Sequence, residues 1–205
     1  LIAEVAMYAL TVDQVDSRNG DDRVEGTMRE LLGALDDVVL APERTAGDEF
    51  QLLTSSPETT LDALLRLTRT GGWSIGIGIG DVDEPLPAST RAASGSAFIR
   101  ARDAVERAKR NPEHLAVEID PDRRLRGNDV EPILRQTVRL RARRSPEGWQ
   151  LADLLAKGVS RPDAAEELGI TPQAVAKRFA AADLRDEDVL HAALVRLLAD
   201  ADEPA

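Results

Sequence analysis

Residues 73–80 read Trp73-Ser74-Ile75-Gly76-Ile77-Gly78-Ile79-Gly80. A strand sends alternate side chains to opposite faces, so Ile75, Ile77 and Ile79 line one face and glycines line the other. A face without side chains lets a helix or another backbone come unusually close. Close helix packing is the expected use of that face, and a ligand groove is the alternative.

Upstream of this segment the patterning predicts a strand over Val5 to Val12, followed by turn chemistry at Asn19-Gly20-Asp21-Asp22. Val24, Met28, Leu31, Leu32 and Leu35 recur at helical spacing and predict a helix from Arg23 to Asp36. Strands are expected at Val38-Val39-Leu40 and at Phe50 to Leu53, joined by a hairpin at Ala46-Gly47-Asp48-Glu49. A helix is expected from Pro57 to Thr70. Downstream, Asp81 to Thr90 reads as a loop, Ser96 to Arg110 as a helix and Leu115 to Ile119 as a strand.

The order over residues 1–120 is therefore β-α-β-β-α-β-α-β. It predicts an α+β fold with a ferredoxin-like, palm-type βαββαβαβ domain, containing a split βαβ unit. Residues 121–128 read as a polar linker. From there, 129–205 read as a small all-α domain.

The chain has 205 residues, with 26 basic and 37 acidic side chains and a net charge of −11. The charge is uneven. Residues 121–144 hold eight arginines against Asp122, Asp129 and Glu131, between two acidic regions. There is no cysteine, which excludes disulfides and thiolate chemistry. His114 and His191 are the only imidazoles, too few for a multi-histidine metal centre. No apolar run approaches the roughly 20 residues of a membrane span. Leu1 to Leu10 lacks a basic leader, so no signal peptide is read and a cytoplasmic protein is expected.

The strongest functional signal is Ser160-Arg161-Pro162-Asp163-Ala164-Ala165-Glu166-Glu167-Leu168-Gly169-Ile170-Thr171-Pro172-Gln173-Ala174-Val175-Ala176-Lys177-Arg178-Phe179. Ser160 and Thr171 are N-caps, each with proline in the following first turn. Ala165 is small where two helices cross, and Gly169 supplies the turn. This spacing predicts a helix-turn-helix whose second helix enters the major groove of duplex DNA. Thr171, Gln173, Ala174, Lys177, Arg178 and Arg161 are the expected DNA-binding residues. Gln reads adenine, and Lys or Arg reads guanine or clamps phosphate. The arginine-rich helix before the motif is either a source of phosphate contacts or a solvated face. The motif also serves in protein-interaction modules, so an adaptor is a further reading.

Glu43-Arg44-Thr45-Ala46-Gly47-Asp48-Glu49-Phe50 is the second signal. Pairing the first strand with this hairpin would bring Asp13 near Asp48. Two carboxylates at adjoining strand ends suit a divalent metal held against a triphosphate. Asp13, Asp48 and Glu49 are thus the candidate ligand or metal residues, with Mg²⁺ and a nucleotide as the possible occupants. No resident cofactor and no catalytic residue are assigned.

On these segments the N-terminal region resembles the palm of GGDEF-type and class III nucleotide cyclases. It departs from them at Ala46, where their first glycine would stand, and in lacking a Phe-Lys pair after the first acidic strand. Lys109 is its one lysine. The resemblance with these departures implies a palm without turnover; a cyclase-like enzyme or nucleotide sensor using Asp13, Asp48 and Glu49 with a divalent metal is the alternative reading.

The chain as a whole resembles an actinobacterial group of SatD-like proteins, described as MarR-type DNA-binding regulators. The matching stretches are Leu10 to Gln14, Glu43 to Gln51, Asp83 to Arg91, Ala104 to Lys109 and the helix-turn-helix. The resemblance begins at Met7, which implies that residues 1–6 precede the natural start. It implies a palm-like domain joined to a helix-turn-helix in a regulatory protein. The two signals together are read as a DNA-binding transcription regulator whose palm-like domain senses a small molecule or nucleotide, or dimerises. A homodimer is expected for a palindromic site, with recognition helices roughly 34 Å apart.

Overall fold

The structure, a computed structural model, describes residues 7–17 and 20–205. The expectations for residues 1–6, including the strand start at Val5, lie outside the described residues, as do Arg18 and Asn19. Among the described residues the protein is mixed α+β, with one five-stranded mixed sheet and eight α-helices. The elements in chain order are β1 (Met7–Gln14), α1 (Val24–Ala34), β2 (Val38–Ala46), β3 (Glu49–Thr54), α2 (Pro57–Thr70), β4 (Trp73–Gly80), α3 (Ser96–Ala108) and β5 (Leu115–Ile119). They continue with α4 (Gly127–Ala142), α5 (Pro146–Ala156), α6 (Arg161–Glu167), α7 (Pro172–Ala181) and α8 (Glu187–Asp202). A single 3₁₀ turn, Thr90–Ala92, interrupts the loop after β4.

Packing divides the chain into two compact units. The first runs through Arg135 and takes in Leu194–Ala205, and the second is Gln136–Ala193. The division falls inside α4 and inside α8.

In the first unit the strand order is β2-β3-β1-β4-β5. The central strand β1 is antiparallel to both β3 and β4, and β5 adds parallel to β4. In register, Asp13 stands opposite Glu49 and Ser74, and Thr11 opposite Gln51 and Gly76. Tyr8, Leu10 and Val12 share a face with Ile75, Ile77 and Ile79, and all six are fully buried. Each such side chain removed from water contributes about 1.5–3 kcal/mol. Helix α2 covers this face, where Thr54 Oγ1 and Thr60 Oγ1 lie 2.6 Å apart. Ser56 caps α2 by accepting from Thr59 N–H at 3.2 Å.

The opposite face carries the glycines, and α3 lies directly on it. A Cβ on Gly76 would come within 2.8 Å of Val105 Cα, and one on Gly78 within 2.9 Å of Ala101 Cα. Real Cβ atoms do not approach backbone so closely. The bare face is used for helix packing, with Ala97, Ala101 and Ala104 as the matching small residues, all fully buried.

Beside α3 this face turns polar. The buried Gln51 side chain donates to Thr11 Oγ1 at 2.9 Å, and Asp13 lies beyond them toward the strand end. The two edges of the sheet are also occupied. On β5, Val117 N–H donates to Glu131 Oε2 at 3.0 Å and Val117 O accepts from Arg107 at 3.0 Å. On β2, Ala41 O accepts from Thr90 Oγ1 at 2.6 Å. Satisfied in this way, those backbone groups are withdrawn from pairing with another strand.

In the second unit α5, α6 and α7 enclose a core of Leu151, Leu154, Ala164, Ala165, Val175, Ala182 and Leu184. Leu168, Ile170 and Phe179 pack against it. Three N-caps start the helices. Ser145 accepts from Gly148 N–H at 3.1 Å, Ser160 from Asp163 N–H at 3.3 Å, and Thr171 from Ala174 N–H at 3.2 Å. Gly169, at φ +63°, makes the left-handed turn between α6 and α7, and Ile170 N–H returns to Ala165 O at 3.0 Å.

Candidate functional site

The second unit presents α7 as follows. Val175 is buried and Phe179 half-buried, so both face the core. Gln173, Ala176, Lys177 and Ala180 are exposed. Their spacing of three and four residues places them along one ridge of the helix. Of the residues expected from the sequence to read DNA, Gln173 and Lys177 lie on this ridge. Thr171 is engaged as the cap, and Ala174 is half-buried. Arg178 is half-buried and lies near Glu147. The Glu147 carboxyl is held below its ordinary range by its own N–H and by Ser145, with Arg178 adding to the effect. The Arg161 guanidinium stands 4.9 Å from the centre of the Phe179 ring. Ala176 and Ala180 join the ridge without being among the residues expected from the sequence to bind DNA. Their signal was the ridge spacing from Gln173.

Among the described residues, α7 is the one α-helix without an aspartate or glutamate. The second unit as a whole holds nine basic and nine acidic side chains, so the net charge of −11 belongs to the first unit.

The arginine-rich helix α4 serves in part neither of the uses read from its sequence. Arg141 and Arg144 stack on Trp149 at 4.9 and 4.8 Å from its ring centre. Both pair with Glu187, Arg144 Nη2 at 2.7 Å, and the buried Arg144 also donates to Ala182 O at 2.8 Å. These two cations hold the second unit together. Arg135 pairs with Glu113 at 2.5 Å and with Glu131 at 3.4 Å.

In the first unit Asp13 and Asp48 line one open cleft of about 740 Å³, together with Gln14, Asp16, Ser17, Gly20, Asp22, Gly47 and Lys109. Gln14 N–H donates to Asp48 O at 3.2 Å, which fixes the hairpin tip against the end of β1. Glu49 does not line the cleft. Its carboxylate accepts from Thr45 Oγ1 at 2.6 Å, within the hairpin.

Lys109, just past α3, puts its ammonium 3.1 Å from Asp13 Oδ2 and 2.8 Å from Glu106 Oε1. Burial raises the Asp13 carboxyl above its ordinary value. Lys109 opposes this, and the charges of Asp48 and Glu106 push further upward. Burial works against the Lys109 ammonium, but its bonds to Glu106 and Asp13 outweigh that and raise it. No group of three or more histidine, aspartate or glutamate side chains placed to hold a metal ion occurs among the described residues.

Other polar side chains of the first unit are engaged in structural pairs. Arg100 pairs with Asp120 at 2.9 Å, and Arg107 with Glu118 at 2.7 Å and Glu131 at 2.6 Å. His114 Nδ1 lies 3.2 Å from Ser74 Oγ. Ser89 Oγ and Arg91 N–H both donate to Glu43 Oε2, at 2.8 and 3.1 Å, which pins the loop after β4 onto β2.

Comparison of the chain with protein-family models, with curated proteins and with solved structures finds no match. No helix among the described residues is long and apolar enough to cross a membrane.

Proposed function

We propose that the chain is a DNA-binding transcription regulator of the SatD-like type, in which α6, the Gly169 turn and α7 form a helix-turn-helix. The observation that carries this reading is the composition of α7. In a chain of net charge −11, it is the one α-helix free of carboxylates among the described residues, and its exposed ridge bears Gln173 and Lys177. A helix entering the major groove approaches phosphates from both sides, so an acidic side chain on it is penalised unless it accepts from a base edge. A neutral unit on an acidic chain also confines attraction for DNA to that unit.

Within this reading Gln173 contacts a base edge, and Lys177 contacts a guanine or a phosphate. The first unit is a ferredoxin-like palm that senses a ligand or dimerises. Its strand order, with β1 antiparallel to both neighbours and helical crossovers between β1 and β2 and between β3 and β4, supports that assignment. The Asp13–Lys109 pair supports a palm without turnover, because the carboxylate expected to hold a metal already has a protein cation beside it.

The test is duplex selection from a random library, followed by binding measurements on two variants. Lys177→Ala is expected to weaken binding and to reduce the salt slope by about one phosphate contact. Gln173→Ala is expected to relax sequence choice at one position with the slope unchanged. Unaltered binding by both variants overturns this assignment of the reading face.

A further inference from the structure

The duplex contacts proposed above leave open what fixes α7 in register, since phosphate contacts position a protein on DNA and base contacts specify sequence. A positioning group needs a cation that is exposed, free of internal carboxylate partners and held in one place. Four cations of the second unit each fail one of these conditions. Arg141 and Arg144 are tied to Glu187 and Trp149. Arg178 is half-buried near Glu147. Lys177 is exposed but carries a flexible stem on the ridge itself.

Arg161 meets all three conditions. It is exposed, and no carboxylate lies within ion-pair distance of it among the described residues. Its neighbour Asp163 is engaged by Ser160 Oγ at 2.6 Å. The guanidinium rests 4.9 Å from the centre of the Phe179 ring. Phe179 belongs to α7 and packs against the core of the unit, so the platform under Arg161 is rigid and is part of the reading helix. A guanidinium supported by an aromatic ring keeps its N–H donors available at its edge, in the fork geometry that matches two phosphate oxygens. The stack also removes part of the side-chain entropy that a free arginine loses on binding.

We propose that Arg161 is the phosphate clamp of this unit and that Phe179 is its positioning residue, holding the guanidinium at a fixed place relative to the ridge of Gln173 and Lys177. This inference rests on the DNA-binding reading. The ligand is the sugar–phosphate backbone of a duplex, so the clamp contributes equally on every sequence.

The experiment uses the full chain, the duplex enriched by selection and a scrambled duplex of the same length. Both are titrated across a salt series with wild type, Arg161→Ala, Phe179→Leu and the double variant. Thermal melts verify that each variant folds. Arg161→Ala is expected to weaken binding to both duplexes by the same factor, about ten-fold, and to lower the slope of log K against log salt by about 0.9. Phe179→Leu keeps the charge and an apolar side chain. It is expected to weaken binding several-fold in the wild-type background and to have no further effect beside Arg161→Ala. Arg161→Lys is expected to restore the salt slope but only part of the affinity, because the ammonium lacks the planar fork.

An unchanged slope in Arg161→Ala, or a loss confined to the enriched duplex, overturns the clamp. Additive effects of Arg161→Ala and Phe179→Leu show that Phe179 acts through packing alone and overturn its positioning role. Wild type that binds neither duplex at low salt overturns the DNA-binding reading itself, a result distinct from the others.

Discussion

Lys109 Nζ lies 3.1 Å from Asp13 Oδ2, so a lysine just beyond α3 neutralises the carboxylate at the end of the central strand. Burial nevertheless leaves the Asp13 carboxyl raised above its ordinary value. A carboxyl raised in the folded state contributes stability at low pH that is lost as pH rises through the raised value. Asp13→Asn has no such loss. Its melting temperature relative to wild type is therefore expected to rise between pH 4 and pH 7, as read by thermal melts across that range. A relative melting temperature that falls over the range contradicts the assignment.

Gly76 and Gly26 make opposite predictions from one substitution. A Cβ on Gly76 meets the Ala101 carbonyl and the Val105 backbone, whereas one on Gly26 in α1 meets nothing within 4 Å. Gly76→Ala forces α3 off the sheet and is expected to cost about 3 kcal/mol. Gly26→Ala is expected to stabilise by roughly 0.5–1 kcal/mol through helix propensity and a less flexible unfolded chain. Denaturant unfolding of the two variants reads both signs.

Asp202, at the end of α8, sits beside Arg123 with Nε and Oδ1 3.6 Å apart, and both residues are buried. Burial pushes the Asp202 carboxyl up to about 6; Arg123 opposes, and Asp81, Glu203 and Asp120 add to the rise. The folded state therefore holds the Asp202 proton more tightly than the unfolded state. Stability from this group is full below the ordinary carboxylate range and is lost as pH rises through about 6. Asp202→Asn is expected to gain a few degrees in melting temperature relative to wild type between pH 5 and pH 7.

The parts of the fold that follow from local pattern were legible in the sequence. The isoleucine–glycine alternation of β4, the helix at Pro57 to Thr70, the strand at Leu115 to Ile119 and the turn at Gly47-Asp48 stand where periodicity and turn chemistry place them. The caps Ser160 and Thr171 follow from residue type and the prolines after them.

What depends on distant pairing was not legible. The salt bridge between Asp13 and Lys109 joins a strand to the end of a helix 96 positions away. The cage of Arg141, Arg144, Trp149 and Glu187 draws two cations of an arginine-rich segment into internal pairs, while Arg124, Arg126, Arg139 and Arg143 stay exposed. Arg123 and Asp202 are likewise brought together only by the tertiary fold. In each case the residue type announces a charge, and only the packing decides which partner neutralises it.

The proposed reading of duplex DNA by α7 is open to equilibrium binding of the full chain across a salt series. Tighter binding to the enriched duplex than to a scrambled one is expected, with affinity falling steeply as salt rises on both. The same weak affinity for both duplexes at every salt concentration, or no binding at low salt, would contradict it.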